Sequence, residues 1–382
     1  MTLVLWIAAL AWGWLLAFRG LFWRIDAIPP APEPARWPEV VAVIPARNEA
    51  ECIADTVRSL LSQDYPGALS VVVTDDHSED GTAAQANAAA ADLDAASRLT
   101  VVPAPPLPEG WSGKMWAQQQ GLAEAARAHP GADLYLLSDA DIHHGPSQLR
   151  RMVARLEAER LDLASLMVHL PTDSWIEKAV VPAFVFFFRL LYPFRWVADQ
   201  TRATAAAAGG YMLIRRSMLE RIGGIAAIRT ALIDDCALAL QVKRAGGRLT
   251  LDLADETWSS RRYQGAGELW MMIARSAYTQ LDHSPLLLAG TALAIVVGFF
   301  LPPIWALAGS WPALIAWAAM SIAYAPMLRY HRLPMWAAPV LPVVAIFYLG
   351  ATLDSARRHW MGKGGQWKGR AQAHTAAGER KR

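Results

Sequence analysis

The stretch Val40-Val41-Ala42-Val43-Ile44-Pro45-Ala46-Arg47-Asn48-Glu49 decides how this chain is read. Five apolar residues run into a proline and a polar turn, the pattern of a short strand buried on both faces. The pattern recurs downstream. Residues 69–73 form a second apolar run, closed by Thr74-Asp75-Asp76-His77-Ser78-Glu79-Asp80-Gly81-Thr82. Residues 134–137 form a third, closed by Ser138-Asp139-Ala140-Asp141. Residues 49–61, 78–91, 113–128 and 147–160 have helical spacing between them, and 99–102 and 163–168 read as further strands. Strand and helix in alternation predict an α/β fold with a mostly parallel sheet and helices on both faces. In such sheets ligands collect outside the carboxyl ends of the strands, where these polar turns lie.

Composition adds a second theme. Of 382 residues, 54% are hydrophobic and 18% charged, against about a quarter charged in an ordinary soluble domain. The net charge of +2 excludes bulk polybasic binding, so no nucleic-acid partner is expected. The two cysteines, Cys52 and Cys236, make neither a disulfide framework nor a Cys-rich zinc site. The 17 tryptophans suit membrane interfaces.

The apolar residues concentrate at the ends. Residues 3–23 carry one charge, Arg19, have no basic leader and are followed by no A-x-A site, so residues 1–25 read as a retained transmembrane helix. Residues 26–37 form a Pro-rich linker, and a catalytic domain is expected over 38–284. Blocks 285–308, 312–328 and 334–353 predict C-terminal membrane helices within 285–355. Arg19, Arg24 and Arg36 place the N-terminus outside and the next domain in the cytoplasm. Four crossings would then leave the basic tail, 356–382, outside. That tail holds Arg357, Arg358, Lys363, Lys368, Arg370, Arg380, Lys381 and Arg382. Either one block is re-entrant or interfacial, or the tail breaks the rule. Residues 176–197, interrupted by Pro182 and Pro193, read as an interfacial helix with its aromatics among the headgroups, or as a packing helix.

Three polar clusters carry chemistry. Asp139 and Asp141 flank one residue, so both can face one divalent cation, Mg²⁺ or Mn²⁺, shared with a diphosphate. Acids also cap turns, but here they follow a buried strand next to another strand end bearing Asp75 and Asp76. In Gly110-Trp111-Ser112-Gly113-Lys114 a lysine opens a helix against the dipole, which an anion would explain. This is not a Walker loop. Asp234 and Asp235 begin a helix, either as caps or with one of them as a general base.

In this order the motifs resemble the membrane-anchored, inverting family-2 glycosyltransferases of GT-A fold, over roughly 38–270. The resemblance rests on residues 41–49 and 75–82, Asp139-Ala140-Asp141, Gly209-Gly210-Tyr211-Met212-Leu213-Ile214-Arg215-Arg216 and Ile233-Asp234-Asp235. It implies a GT-A (nucleotide-diphospho-sugar transferase, Rossmann-like) domain held by N- and C-terminal transmembrane helices. It implies Pro45, Arg47, Glu49, Asp75 and Asp76 on the nucleotide, with Lys114 and Asp139 near the diphosphate. Asp139 and Asp141 would hold the metal. Asp235, beside Asp234, would be the base, and Gly209, Gly210, Tyr211 and Arg262 would line the acceptor side. The implied partners are a nucleotide-sugar donor, with UDP expected, a membrane lipid acceptor and the lipid bilayer, at a bacterial inner membrane. Residues 110–121 and Gly365-Gln366-Trp367-Lys368-Gly369-Arg370 look most like the subgroup associated with hopanoid biosynthesis. Where processive relatives carry Q-x-x-R-W, this chain has Ser259-Ser260-Arg261-Arg262-Tyr263, which speaks against polymer synthesis. The alternatives are a polyprenyl-phosphate glycosyltransferase, a catalytically silent scaffold of the same fold and a transporter. The large polar α/β region and the uncharged middles of the apolar blocks argue against a transporter.

Overall fold

The structure is a computed structural model that describes residues 1–362, 366–367 and 370–371. The tail residues Lys363, Lys368, Arg380, Lys381 and Arg382, and Gly365 and Gly369 of the 365–370 stretch, lie outside the described residues. Gln366–Trp367 and Arg370–Ala371 pair as two short antiparallel strands. The chain divides into an α/β unit, Ala27–Leu170 and Val197–Arg261 with the described part of Gln366–Arg382, and an apolar unit. The apolar unit comprises Met1–Asp26, Pro171–Trp196 and the described part of Arg262–Gly365, so 262–284 falls with the apolar helices rather than with the sheet.

The α/β unit is built on eight strands. They are β1 (Val40–Ala46), β2 (Leu69–Asp75), β3 (Leu99–Pro103), β4 (Leu134–Leu137), β5 (Ile142–His144), β6 (Leu163–His169), β7 (Met212–Arg215) and β8 (Leu249–Ser259). They lie in the order β3-β2-β1-β4-β7-β6-β8-β5. All seven residues of β1 are buried, as the continuous apolar run demands of a central strand. β1 pairs in parallel with β2 and β4, β2 with β3, and β6 with β8. β7 runs antiparallel to both β4 and β6, and β5 antiparallel to β8. The sheet is therefore mixed but mostly parallel, as expected: β1, β2, β3, β4, β6 and β8 run one way, and β7 and β5 run against them. β7 is reached through the long 171–211 segment rather than through a short helical crossover, and that frees its direction. The register Val43↔Leu137 and Ala46↔Asp75 brings the polar turns after β1, β2 and β4 to one edge.

Helix Gly113–Ala128 packs on β1 and β2. Its start is capped by Ser112, whose Oγ accepts from the Met115 N–H. Gly121 permits the close approach: a Cβ there would lie 2.6 Å from Thr74 Oγ1 and from Val43 Cγ1. Helix Ile53–Leu61 starts four residues later than the spacing predicts, because the turn after β1 is held in the neighbouring loop.

In the apolar unit, three helices are long and apolar enough to cross a membrane: Pro285–Leu307, Trp311–Tyr330 and Met335–Trp360. The first contains a π-helical turn, Val296–Phe300, directly before Pro302-Pro303, whose missing N–H groups break the regular ladder. The N-terminal helix, Thr2–Phe18, has 17 residues and spans about 25 Å, short of the predicted 1–25 and of a full hydrocarbon core. It stops because Gly20 and Leu21 take positive φ (61° and 49°). Helix Trp175–Leu191 opens with a capping box between Ser174 and Glu177. Two of its aromatics pack on neighbouring helices, as the packing reading expects, while Trp175 is exposed. Phe186 packs on Phe22 and Tyr324 and is buried, and Phe187 packs on Phe299 and Tyr348 and is half-buried.

Candidate active site

The turns after β1 and β2 interlock. The Ser78 N–H donates to Asp75 Oδ1 (3.0 Å), and the Asn48 N–H to Ser78 Oγ (2.9 Å). The Glu49 N–H donates to Thr82 Oγ1 (2.9 Å), and the Ala50 N–H to Asp80 Oδ2 (3.0 Å). Asn48 and His77 take positive φ to make these turns. Arg47 Nη1 donates to the Asp76 carbonyl (2.5 Å) and lies 3.6 Å from its carboxylate. Asp76 is fully buried, so it orients Arg47 rather than offering its own carboxylate to a nucleotide. Pro45 sits inside β1, in register with Thr74, and its ring serves the sheet. That leaves Arg47, Glu49 and Asp75, each partly exposed, at the rim.

A second cluster lies after β4. Lys114 Nζ is 2.8 Å from Asp139 Oδ1 and 3.1 Å from Asp234 Oδ2. Their side chains are 18%, 35% and 18% exposed, so the triad is shielded but reachable. The Ser112 N–H donates to the Arg229 carbonyl (3.2 Å), which ties the Lys114 loop to the segment leading into Asp234. Burial opposes the Lys114 charge, but Asp139, Asp234 and Asp235 outweigh it and hold the ammonium well above the usual lysine range.

Asp235 completes the group. Its Oδ1 accepts from the Cys236 N–H (2.7 Å) and its Oδ2 from the Gly209 N–H (3.0 Å). Burial, then Asp234, push its carboxyl up to about 6, against the pull of those N–H groups and Lys114. The helix it begins, Asp234–Arg244, has Ile233 at its N-cap with no side-chain cap there, and Asp235 serves one first-turn N–H with one oxygen while its other oxygen reaches across to Gly209. Gly209 stands at the centre: a Cβ on it would lie 3.5 Å from Asp139 Oδ2 and Lys114 Nζ, and 3.8 Å from Asp235 Oδ2.

Asp141 is held by residues the sequence reading passed over. Ser259 Oγ donates to Asp141 Oδ2 (3.0 Å), and the Ser260 N–H (2.7 Å) and Oγ (3.0 Å) to its carbonyl. Burial, then Asp139, raise its carboxyl, while Ser259 and Arg261 resist. Ser138 was also missed. Its Oγ bridges to the Gly210 carbonyl (3.1 Å) and to His144 Nε2 (3.1 Å), which locks β4 to the Gly209-Gly210 turn. Burial drives the His144 pKa down to about 3, so this histidine is a neutral strut.

Among the described residues no group of three or more His, Cys, Asp or Glu is arranged to hold a metal ion. The D-x-D pair supplies oxygen donors alone, and Mg²⁺ is commonly held by one or two carboxylates with substrate phosphates completing its shell. The donor set therefore fits a cation shared with a diphosphate.

Two acceptor-side expectations need correction. Tyr211 is fully buried, its ring 5.7 Å from that of His144, so it cannot meet an acceptor. Gly210 packs inward too, where a Cβ would meet Val168 at 3.0 Å. Gly209 alone of the three faces the acids. Arg262 is exposed and belongs to the apolar unit.

Comparison with known proteins fits this geometry. Residues 38–276 match the family described as "Glycosyltransferase like family 2". The "Probable glycosyltransferase YdaM" of Bacillus subtilis (strain 168) is 26% identical over 226 residues, covering 58% of this chain and 50% of that protein. This chain thus spans about half the length of the curated relative it matches. Among solved structures, "Mannosyltransferase PcManGT from Pyrobaculum calidifontis in complex with GDP-Man and Mn2+" shares the fold. Its TM-score is 0.52 at 20% identity, covering 91% of this chain and 99% of that one. Acids and a lysine at the strand ends and helix starts of a GT-A sheet, with a family match over residues 38–276, lead to one conclusion: the chain belongs to the family-2 glycosyltransferases.

Proposed function

We propose that this enzyme moves a sugar from a cytosolic nucleotide-diphosphate sugar to a membrane lipid, with inversion at the anomeric carbon. The observation that carries the reading is the Asp235 carboxylate, fixed by two backbone N–H groups beside the Lys114–Asp139–Asp234 triad. Arg47, Glu49 and Asp75 would hold the base and ribose, with Asp76 positioning Arg47. Asp139 and Asp141 would hold Mg²⁺ or Mn²⁺, which when bound supplies positive charge to the leaving diphosphate. Lys114 adds a second positive charge there. Asp235 takes the proton from the acceptor hydroxyl as that oxygen bonds to the anomeric carbon and the nucleotide diphosphate leaves from the opposite face. The mannosyltransferase of shared fold holds GDP-Man and Mn²⁺, a donor and cation of the proposed class.

Three long apolar helices and the aromatic-lined helix Trp175–Leu191 in one unit support a lipid acceptor. The sequence likeness favours a hopanoid, and a polyprenyl phosphate is the second candidate. We place the α/β unit on the cytoplasmic side of a bacterial inner membrane, where nucleotide sugars are made.

Asp235→Asn tests the reading. Loss of a positioned base costs about 10²–10⁴ in rate, so transfer should fall by that factor while donor affinity stays within about twofold. Unchanged transfer would overturn Asp235 as the base and leave another group in that role, whereas no transfer by the parent with any donor would favour a silent scaffold. Asp234→Asn should act differently, weakening donor binding through Lys114.

A further inference from the structure

We infer that Lys114 is a resident counter-ion, occupying the acidic rim in the donor-free enzyme and exchanging with the divalent cation when the nucleotide sugar arrives. This rests on the donor-site reading above. Asp139 and Asp234 pair with Lys114, Asp139 and Asp235 flank Gly209 beside it, and without a cation the three acids would repel one another. Lys114 Nζ sits between Asp139 and Asp234, so it already occupies an oxygen of the D-x-D pair. A divalent cation arriving alone must compete with a tethered ammonium for Asp139. A cation arriving with a diphosphate does not, because the phosphate oxygens offer Lys114 a new partner as it leaves Asp139. Cation and donor binding are thereby coupled, and the unloaded enzyme does not hold metal tightly.

The coupling predicts opposite effects in one variant. In Lys114→Met at pH 8, affinity for Mn²⁺ alone, read by electron paramagnetic resonance, should rise roughly tenfold, since a positive charge within a few ångströms of the ligand is gone. Affinity for UDP or GDP without metal should fall by a similar factor. Lys114→Arg, which keeps the charge, should stay near the parent on both counts. Lys114→Gln repeats the test should the Met variant fail to fold. Mn²⁺ affinity unchanged or weaker in a folded, uncharged variant overturns the inference. Failure of the parent to bind any nucleoside diphosphate would instead strike the donor-site reading, leaving the Mn²⁺ comparison to decide the counter-ion role.

We propose that Met335–Trp360 enters and leaves the membrane on the same side. Helix Pro285–Leu307 carries the chain away from Tyr278 and His283, and Trp311–Tyr330, after a three-residue connection, brings it back. A third full crossing would leave Trp360 about 30 Å from Tyr278. Instead the Tyr278 N–H donates to Ser355 Oγ (3.0 Å), and the Tyr278 ring lies 5.4 Å from His359 and 5.7 Å from Trp360. His283 stacks on His359 at 4.1 Å. Trp317 Nε1 donates to the Pro339 carbonyl (3.0 Å), so the segment after Tyr330 runs back along the helix it has just left. Arg357 and Arg358 then lie on the side from which the first of these helices starts, and the positive-inside rule is kept.

Ala308→Cys and Met361→Cys, each in the full chain, test this with a membrane-impermeant maleimide on intact and lysed cells, the parent giving the background of Cys52 and Cys236. Label should reach the two positions from opposite sides. Label reaching both from the same side would mean a full crossing and overturn the proposal.

Discussion

The two units of this chain treat carboxylates in opposite ways. In the apolar unit each buried or half-buried acid is fully employed by its neighbours. Glu177 accepts from the N–H groups of Asp173, Ser174 and Tyr263, and Asp354 from Trp270, Arg357 and Arg358. On the rim of the α/β unit Asp139, Asp234 and Asp235 share Lys114, and burial with mutual repulsion raises both Asp141 and Asp235. Satisfied acids hold helices together. Acids left in excess of cations are poised to receive charge from outside, and that difference marks the rim as the site of chemistry.

The contrast can be broken most directly at the D-x-D pair. Asp141→Asn should weaken nucleoside-diphosphate binding about 10–100-fold in Mn²⁺ and little without it, as isothermal titration would show. Equal binding by variant and parent in Mn²⁺ would remove Asp141 from the site. Ser259→Ala, which strips the Asp141 carboxylate of one donor, should give a smaller loss of the same kind.

The raised Asp235 gives the contrast a pH signature. An acid shifted up to about 6 loses its base form as pH falls through that value, so transfer should drop about tenfold per pH unit below 6. An unshifted aspartate would hold its activity to about 4. The sign for stability is opposite: the folded state binds this proton more tightly than the unfolded chain, so ionisation of Asp235 costs stability near neutrality and protonation below about 6 relieves it. A rate profile flat from pH 7 to pH 5 would contradict the shift.

One helical glycine from each unit gives a smaller test, since Gly121 is tightly enclosed and Gly290 is open. Gly121→Ala should destabilise the α/β unit by about 1–3 kcal/mol, since its Cβ has no room against Thr74 and Val43. At Gly290, inside helix Pro285–Leu307, a Cβ meets nothing within 4 Å, so Gly290→Ala should be neutral or slightly stabilising. Thermal unfolding of both variants checks this. The smallest expected effect concerns residues 1–25: their deletion should leave the protein in the membrane fraction, because three longer apolar helices remain.

What the sequence makes legible follows from the length scale of each feature. β1 and β4 show as apolar runs buried on both faces, as central strands are, and β2 as a run broken only by Ser70. Helix Gly113–Ala128 shows because Ser112 caps it and its spacing is regular. The direction of β7 does not show, since four apolar residues look alike whichever way they pair. β5, at three residues, is too short to leave a period. Within the site, Asp139, Asp141, Lys114, Asp234 and Asp235 are legible because charged groups at strand ends and helix starts stand out against apolar runs. Ser259, Ser260 and Ser138 are not, because a hydroxyl gains its role only from a partner distant in sequence. Tyr211 misleads for the complementary reason: a tyrosine after two glycines looks poised for a ligand until its burial is known.

The most direct test of the account is the product itself. Purified protein in bilayer nanodiscs, given a nucleotide sugar, Mn²⁺ and lipid extract, should yield a sugar-bearing lipid whose anomeric configuration is opposite to that of the donor. A product with the donor's configuration would contradict direct displacement assisted by Asp235. Free sugar and nucleotide with no lipid product would contradict the lipid acceptor.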